Sequence, residues 1–195
     1  MTIDFQNILP KTETEYTAMV NLFANKSADL TTRFVKVFTQ REIGLYLNTL
    51  ATQEKWVSIA SHHTPLTDES VIAVPVPCLW TDQGYKIEEL EKVSASITGC
   101  DALIAQTGSV MLSSRTAGGR ALSILPPHHI VLATKNQIVP DLPTAYRMIR
   151  EKYSPNYPSM VSLVTGPSRT GDIERILVLG AHGPRKLTII LVEEV

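Results

Sequence analysis

The sequence predicts an α/β fold with a mostly parallel sheet and helices on both of its faces. Segments rich in β-branched residues alternate with segments whose apolar residues recur at helical spacing over most of the 195 residues. Two strand-like segments, MVSLVTG and LTIILVEEV, are nearly continuous apolar runs, which is typical of strands covered on both faces. Such alternation favours a parallel sheet packed between helices.

The first sixty residues predict two helices and two strands. Apolar residues recur at helical spacing within residues 10–27, and this segment is expected to pack on or beside the sheet. Residues 31–40 predict a strand, residues 39–50 a helix and residues 56–60 a second strand. We therefore expect residues 1–195 to form a single α/β domain.

The remainder of the chain continues the alternation after one segment of weak signal. Residues 61–86 contain three prolines and are expected to wrap around the surface. Residues 93–98 alternate apolar and small polar side chains, which predicts a half-buried strand. The later elements are two strands broken at Thr107-Gly108 within 102–114, a strand at 128–134 and a helix at 140–153.

Composition excludes several classes of function. The 18 basic and 19 acidic residues are interspersed, whereas a nucleic-acid groove or an acidic-membrane surface needs a basic excess. No apolar run approaches the length of a membrane span, and the N-terminus lacks the features of a signal peptide. We expect a cytoplasmic protein without a nucleic-acid partner or a membrane span.

Metal binding is also not expected. Cys78 and Cys100 are the only cysteines, so there is no Cys-x-x-Cys motif for an iron–sulfur cluster. The adjacent histidines 62–63 and 128–129 would point to opposite faces of a strand and could not chelate one ion. The sequence predicts no metal site, and it names no cofactor.

The segment GPSRTGD carries the densest set of candidate binding residues. Gly166 and Gly171 have the spacing of a phosphate-binding P-loop, but Asp172 stands where that motif needs lysine, and its carboxylate would repel phosphate. The segment is expected to leave the carboxyl end of a strand and to start a helix, where free amides attract an anion. Ser168 or Thr170 would then cap that helix.

Two residues in and near this segment have alternative interpretations. The guanidinium of Arg169 suits a carboxylate or a phosphate, but it could equally pair with a neighbouring acid at a helix cap. His182, within the turn-forming sequence GAHGP, could donate a proton or contact an anion, or could be solvated without a role. We expect Arg169 and His182 to lie on neighbouring loops.

Four ordered segments together resemble the lactate-utilisation domain (LUD) family, in its lactate utilisation protein C branch. They are Ile104–Ser109, Leu125–Pro127 with His129, Gly166–Glu174 and Gly180–Pro184. The resemblance implies a NagB/RpiA/CoA-transferase-like fold and ligand-binding roles for the matching residues. Those residues are Gln106, Thr107, Gly108, His129, Gly166, Ser168, Arg169, Thr170, Asp172 and His182.

The resemblance implies an accessory role in the oxidation of L-lactate to pyruvate, beside partners that carry iron–sulfur clusters. The chain would bind an anionic substrate, cofactor or partner. Gln106 departs from the family pattern, which usually has an acid there, and glutamine cannot act as a carboxylate nucleophile. Two alternatives stay open: a stand-alone enzyme of the CoA-transferase or isomerase type, and a regulatory module that senses a small anion.

Overall fold

The computed structural model describes residues 12–171, 177–179 and 183–194, and within them it contains five α-helices and twelve strands. The helices are α1 (Tyr16–Asp29), α2 (Gln40–Gln53), α3 (Pro65–Ile72), α4 (Ile87–Leu90) and α5 (Leu142–Tyr153). The first six strands are β1 (Arg33–Val37), β2 (Ile59–Ser61), β3 (Cys78–Trp80), β4 (Ala95–Thr98), β5 (Ala102–Ile104) and β6 (Ser109–Ser113). The other six are β7 (His128–Thr134), β8 (Ile138–Val139), β9 (Val161–Val164), β10 (Arg169–Gly171), β11 (Leu177–Leu179) and β12 (Lys186–Val192).

The central sheet has six strands in the order β1-β12-β7-β4-β2-β3, and every neighbouring pair is parallel. Its two longest strands, β7 and β12, lie side by side in full register from Lys186↔His128 to Val192↔Thr134. Both strands are buried over nearly their whole length, as their apolar sequences predict. The predicted mostly parallel sheet is confirmed.

A second sheet of four strands, in the order β8-β5-β6-β9, covers part of the central sheet. Its strands β5 and β8 follow β4 and β7 along the chain and pair in parallel, whereas β6 pairs antiparallel with both β5 and β9. Apolar side chains of α1, β5 and β6 pack in one cluster with those of β7 and β12. The second sheet and α1 therefore share one face of the central sheet.

Helices cover the other face of the central sheet and the outer side of the second sheet. Side chains of α2 and α3 pack against the opposite face of the central sheet, where they meet β2, β4, β7 and β12. Helix α5 packs on the outer side of the second sheet through Ala145, Ile149 and Tyr153. The predicted arrangement of helices on both faces of the sheet is confirmed.

Three local predictions were wrong. Residues 61–86 do not merely wrap the surface, because Thr64 and Thr67 form a capping box that starts α3 at Pro65, and Cys78–Trp80 adds the edge strand β3. Strand β4 is fully buried rather than half-buried, since it is an interior strand with layers on both faces. Strand β9, despite its apolar sequence, is an edge strand of the second sheet with more than a third of Val161 and Leu163 exposed.

No helix in the described part of the chain has the length and apolar character needed to cross a bilayer.

The predicted break at Thr107-Gly108 is confirmed as the turn between β5 and β6. Gly108 has φ +66, and its amide donates to the carbonyl of Ile104 at 2.9 Å. A Cβ at this position would lie 2.7 Å from the Cβ of Lys26 in α1. Glycine is thus needed both for the left-handed conformation and for the close approach to the helix.

We predict that Gly108→Ala destabilises the fold more than Gly84→Ala does. Gly84 also has positive φ, +86, but has open space where a Cβ would be added. Positive φ should cost each variant about 1–3 kcal/mol. The added clash should cost Gly108→Ala about 1–3 kcal/mol more. Urea unfolding of both variants and the parent chain measures the difference, and equal losses would show that α1 yields to the extra methyl group.

Candidate functional site

Two of the segments singled out from the sequence meet at the C-terminal end of α1. The turn residue Gly108 lies against Lys26 and Ser27, and Gly166 lies against Leu30. A hydrogen bond of 2.8 Å between the hydroxyls of Ser109 and Thr165 joins the two segments directly. We call residues 106–109 and 165–169 the motif cluster.

The second Gly-Pro step lies beside the first. The amide of Ser168 donates to the carbonyl of Pro184 at 2.8 Å, and a Cβ added to Gly183 would lie 3.2 Å from the Cβ of Ser168. The next residue, Arg185, donates its amide to the carbonyl of Pro127 at 2.8 Å. These contacts bring residues 183–185 to the motif cluster and to the start of β7.

Arg169 fastens the motif cluster to α1. Its Nη2 donates to the carbonyl of Leu30 at 2.8 Å and to the hydroxyl of Thr31. Thr31 has φ +58, so the chain turns sharply here between α1 and β1. A cation next to the last carbonyls of a helix is favourable, because it satisfies an acceptor and opposes the negative end of the helix dipole.

The described residues show a strand, and not a helix start, at Arg169–Gly171. Arg169–Gly171 is strand β10, and it pairs antiparallel with β11, with Thr170 opposite Val178 and Gly171 opposite Leu177. Thr170 is therefore a strand residue and not a helix cap, and the amide of Ser168 bonds to a neighbouring loop. Asp172 and His182 lie outside the described residues.

The motif cluster lies at the opposite edge of the central sheet from the one expected. Its partners Leu30 and Pro127 come just before β1 and β7, and Pro184 comes just before β12, so the cluster adjoins the amino ends of these strands. The physical reason is that β9, which leads into the cluster, pairs antiparallel with β6 in the second sheet. The carboxyl-edge rule therefore does not apply to the loop that follows β9.

Thr107 and Gln106, at the tip of the β5–β6 hairpin, differ in their hydrogen bonding. The Thr107 hydroxyl is buried and has no hydrogen-bond partner within the described residues. The backbone N–H of Gln106 donates to the carbonyl of Pro140 at 3.0 Å, which ties the hairpin to the segment before α5. A buried hydroxyl without a partner costs free energy, and such groups commonly mark a position for ordered water or a ligand.

His129 is enclosed in the core. Its Nε2 lies 2.8 Å from the Thr98 hydroxyl, and its Nδ1 is buried without a hydrogen-bond partner in the described ranges. Burial, with a smaller contribution from His128, lowers the pKa of His129 to about 3. The ring is therefore neutral at physiological pH, and its role as a ligand contact stays a prediction.

His128 faces the other side of the sheet, as predicted for adjacent histidines on a strand. Its Nδ1 lies 3.1 Å from a carboxylate oxygen of Glu54, and its Nε2 lies 2.8 Å from the Thr188 hydroxyl. Throughout the ranges described, no three His, Cys, Asp or Glu side chains are grouped so that they could hold a metal ion. The metal content of the chain stays a prediction.

A buried network around Asp101 was missed by sequence reasoning. Its carboxylate accepts hydrogen bonds from Lys152 at 2.8 Å, from the Tyr153 hydroxyl at 2.6 Å and from the Thr116 hydroxyl at 2.8 Å. Burial alone would raise the pKa of Asp101, but these donors outweigh it, so the pKa is lowered. Asp101 and Lys152 are 51 positions apart, and the packing of α5 against the second sheet brings them together.

Comparison with known proteins identifies the family. Residues 14–192 match the model of the LUD domain. The chain belongs to the LUD family. The resemblance inferred from the four sequence segments is thus confirmed.

Relatives with established names are lactate utilization protein C from several bacteria. Identity is 39% over 108 residues with the Anoxybacillus flavithermus protein, 35% over 128 with the Shouchella clausii protein and 37% over 116 with the Bacillus subtilis protein. These matches cover 55%, 64% and 58% of this chain and 48%, 56% and 48% of the respective relatives. The matched region is about half the length of those proteins.

A solved structure shows the same fold. The crystal structure of a DUF162 family protein from Deinococcus radiodurans aligns with a TM-score of 0.72 over 92% of this chain and 99% of that chain. Sequence identity is 22%, so the likeness supports the arrangement of helices and strands and nothing about ligands.

We predict that Arg169→Ala destabilises the fold by about 1 kcal/mol, because it removes the cation that caps α1. Arg41→Ala, which removes an exposed arginine from α2, serves as the matched control and should have little effect. Urea unfolding monitored by circular dichroism measures both. An unchanged midpoint for Arg169→Ala would show that the contacts with Leu30 and Thr31 contribute nothing to stability.

We also predict that His129 makes the fold sensitive to acid. Its pKa is about 3 when folded and 6.5 when free, so the unfolded chain binds the extra proton between these values. Stability is full above pH 6.5 and falls as the pH decreases towards 3, at up to about 1.4 kcal/mol per pH unit. His129→Gln should show a shallower dependence in urea unfolding between pH 4 and 7, and identical slopes would contradict the assignment.

Proposed function

We propose that this chain is an accessory component of the oxidation of L-lactate to pyruvate, acting beside partner proteins that carry iron–sulfur clusters. The observation that carries the proposal is its membership of the LUD family together with 35–39% identity to proteins named lactate utilization protein C. Because the matches cover about half of those relatives, the role is proposed for the part of the system that this chain represents.

The chemistry of the two cysteines supports a division of labour between this chain and its partners. Both are free thiols, and burial raises the pKa of Cys78 to about 12 and that of Cys100 further. Cluster ligation needs thiolates that converge on iron, but Cys78 and Cys100 pack in different clusters on opposite faces of the central sheet, and burial disfavours the thiolate form of both. Electron transfer through clusters would then be the task of the partners.

Gln106 supports an accessory role rather than covalent acyl transfer by this chain. It occupies the tip region of the β5–β6 hairpin, within the motif cluster, where the family usually has an acid. An amide can orient a bound group through hydrogen bonds but cannot form an acyl anhydride or a thioester. The proposal is that the motif cluster orients a ligand or a partner surface, with Arg169 holding the cluster in place.

Genetic complementation tests the proposal. The chain is expressed in Bacillus subtilis that lacks its own lactate utilization protein C, and growth on L-lactate as carbon source is measured. We expect growth to be restored, with the host protein as the positive control and an empty vector as the negative control.

Two results would contradict the proposal. One is failure to restore growth in cells where the folded chain accumulates to the level of the host protein. The other is CoA-transferase or sugar-phosphate isomerase turnover by the purified chain alone, which would favour a stand-alone enzyme.

A further inference from the structure

We propose that a cleft at the carboxyl edge of the central sheet binds a small organic carboxylate through Lys152 and Arg115. The site is separate from the motif cluster, which adjoins the amino edge. The inference deepens the proposed function, because it supplies a ligand class and a location, and it rests on that function only for the identity of the physiological ligand.

The cleft lies at the C-terminal ends of strands β2, β4, β6 and β7. It has a volume of about 290 Å³ and is lined by residues that follow β2, β4 and β6, by residues at and after the end of β7, and by one residue of α5. Those residues are Thr64, Leu66, Gly99, Cys100, Arg115, Thr116, Leu132, Thr134, Gln137 and Lys152.

The topology of the sheet opens the cleft at this place. Within the central sheet, β2 is followed by the outermost strand β3 on one side. Strand β4 is followed by β7 and then β12, which lie on the other side. The segments that leave the adjacent strands β2 and β4 therefore diverge. Such reversals of strand order leave a crevice outside the carboxyl ends, where ligands of open α/β sheets bind.

Two cations line the cleft and are held in place by the same tyrosine. Lys152 Nζ lies 5.0 Å and the Arg115 guanidinium carbon 5.2 Å from the centre of the Tyr153 ring. Arg115 donates one hydrogen bond, from Nη2 to the carbonyl of Asn156 at 2.8 Å, so it has further donors for a ligand. Fixed positions reduce the entropy that the two long side chains would lose on binding.

Asp101 leaves the cleft with excess positive charge. Its side chain is fully buried, and its lowered pKa keeps it ionised. Its two oxygens accept three hydrogen bonds from protein groups. One carboxylate set against two cations gives a net charge of about +1 in the cleft. The adjacent Cys100 adds no negative charge, because burial raises the pKa of its thiol.

The walls favour a small carboxylate with an apolar body over an inorganic anion. Leu66, which is partly exposed, supplies apolar surface beside the cations. Gln137 is fixed by donating to the carbonyl of Cys100 and accepting from the amide of Thr134 at 2.7 Å, so this wall is rigid. A carboxylate can pair with Lys152 and Arg115 while its carbon atoms lie against Leu66, whereas phosphate would leave that side chain uncovered.

Calorimetric titration of the full chain with L-lactate, pyruvate and inorganic phosphate tests the site. We expect L-lactate or pyruvate to bind more tightly than phosphate. Arg115→Gln and Lys152→Met should each weaken binding at least about tenfold, which corresponds to one lost charge-assisted hydrogen bond. Arg150→Gln is the matched control, since Arg150 is an exposed cation of α5 that lines a different depression, and it should leave affinity unchanged.

Asp101→Asn separates a binding role from a structural one. It removes the only carboxylate of the network, so carboxylate affinity should rise several-fold even though the fold loses stability. Urea unfolding run in parallel identifies any variant that fails to fold, and Arg115→Gln, whose single hydrogen bond is at the surface, is expected to fold like the parent chain.

The outcomes are distinct. Binding that is absent at millimolar L-lactate, pyruvate and phosphate overturns the inference, and so does binding that survives both Arg115→Gln and Lys152→Met. If the parent chain fails to restore growth on L-lactate but binds a carboxylate in this cleft, the proposed function falls and the site stands. If Arg115→Gln abolishes binding and still restores growth, the site's link to lactate utilisation is overturned.

Discussion

The structure depends on the requirement that a parallel sheet be covered on both faces. Strands β7 and β12 carry apolar side chains on both faces, so both faces must be covered to keep these side chains out of water. Helices α2 and α3 cover one face in the usual way. The other face is covered by α1 and by a second sheet, whose strands β5 and β8 directly follow β4 and β7. The covering layer is thus built from extensions of the sheet itself, and the rest of the fold follows from it.

The second sheet decides where the polar side chains of the chain can meet. The β5–β6 hairpin crosses from the end of β4 to the C-terminal end of α1, so its tip reaches the amino edge of the central sheet. Strand β9 then leads the chain to the same place, where Arg169 and Gly166 contact Leu30. At the other edge, Asp101 is buried in the turn between β4 and β5, and Lys152 of α5 donates a hydrogen bond to it near the strand ends. One covering layer therefore creates two polar regions at opposite edges.

Sequence patterns predicted several elements from local signals, but they missed α3, although its capping box is also a local signal. The apolar run of β12 and the glycine between β5 and β6 specify their conformations without reference to distant residues. The same patterns could not show that β9 is an edge strand, because an apolar run has the same composition whether it is covered on one face or on two. They placed Gly166–Asp172 at a carboxyl edge because they assumed that every strand belongs to the parallel sheet. The Asp101–Lys152 pair had no signal at all, since its two residues are brought together only by tertiary packing.

Charge distinguishes the two edges more clearly than the motifs do. At the amino edge, Nη2 of Arg169 is engaged with a helix carbonyl and a hydroxyl, so an anion there would have to bind Nη1 and Nε of the guanidinium that caps α1. At the carboxyl edge, Lys152 and Arg115 both line the cleft with further N–H donors, and the carboxylate of Asp101 is buried beside Lys152. A ligand that binds by electrostatic attraction gains more where two cations line one cleft than where a guanidinium also caps a helix. The motif cluster is therefore better suited to holding a precise surface, and the carboxyl-edge cleft to holding a charge.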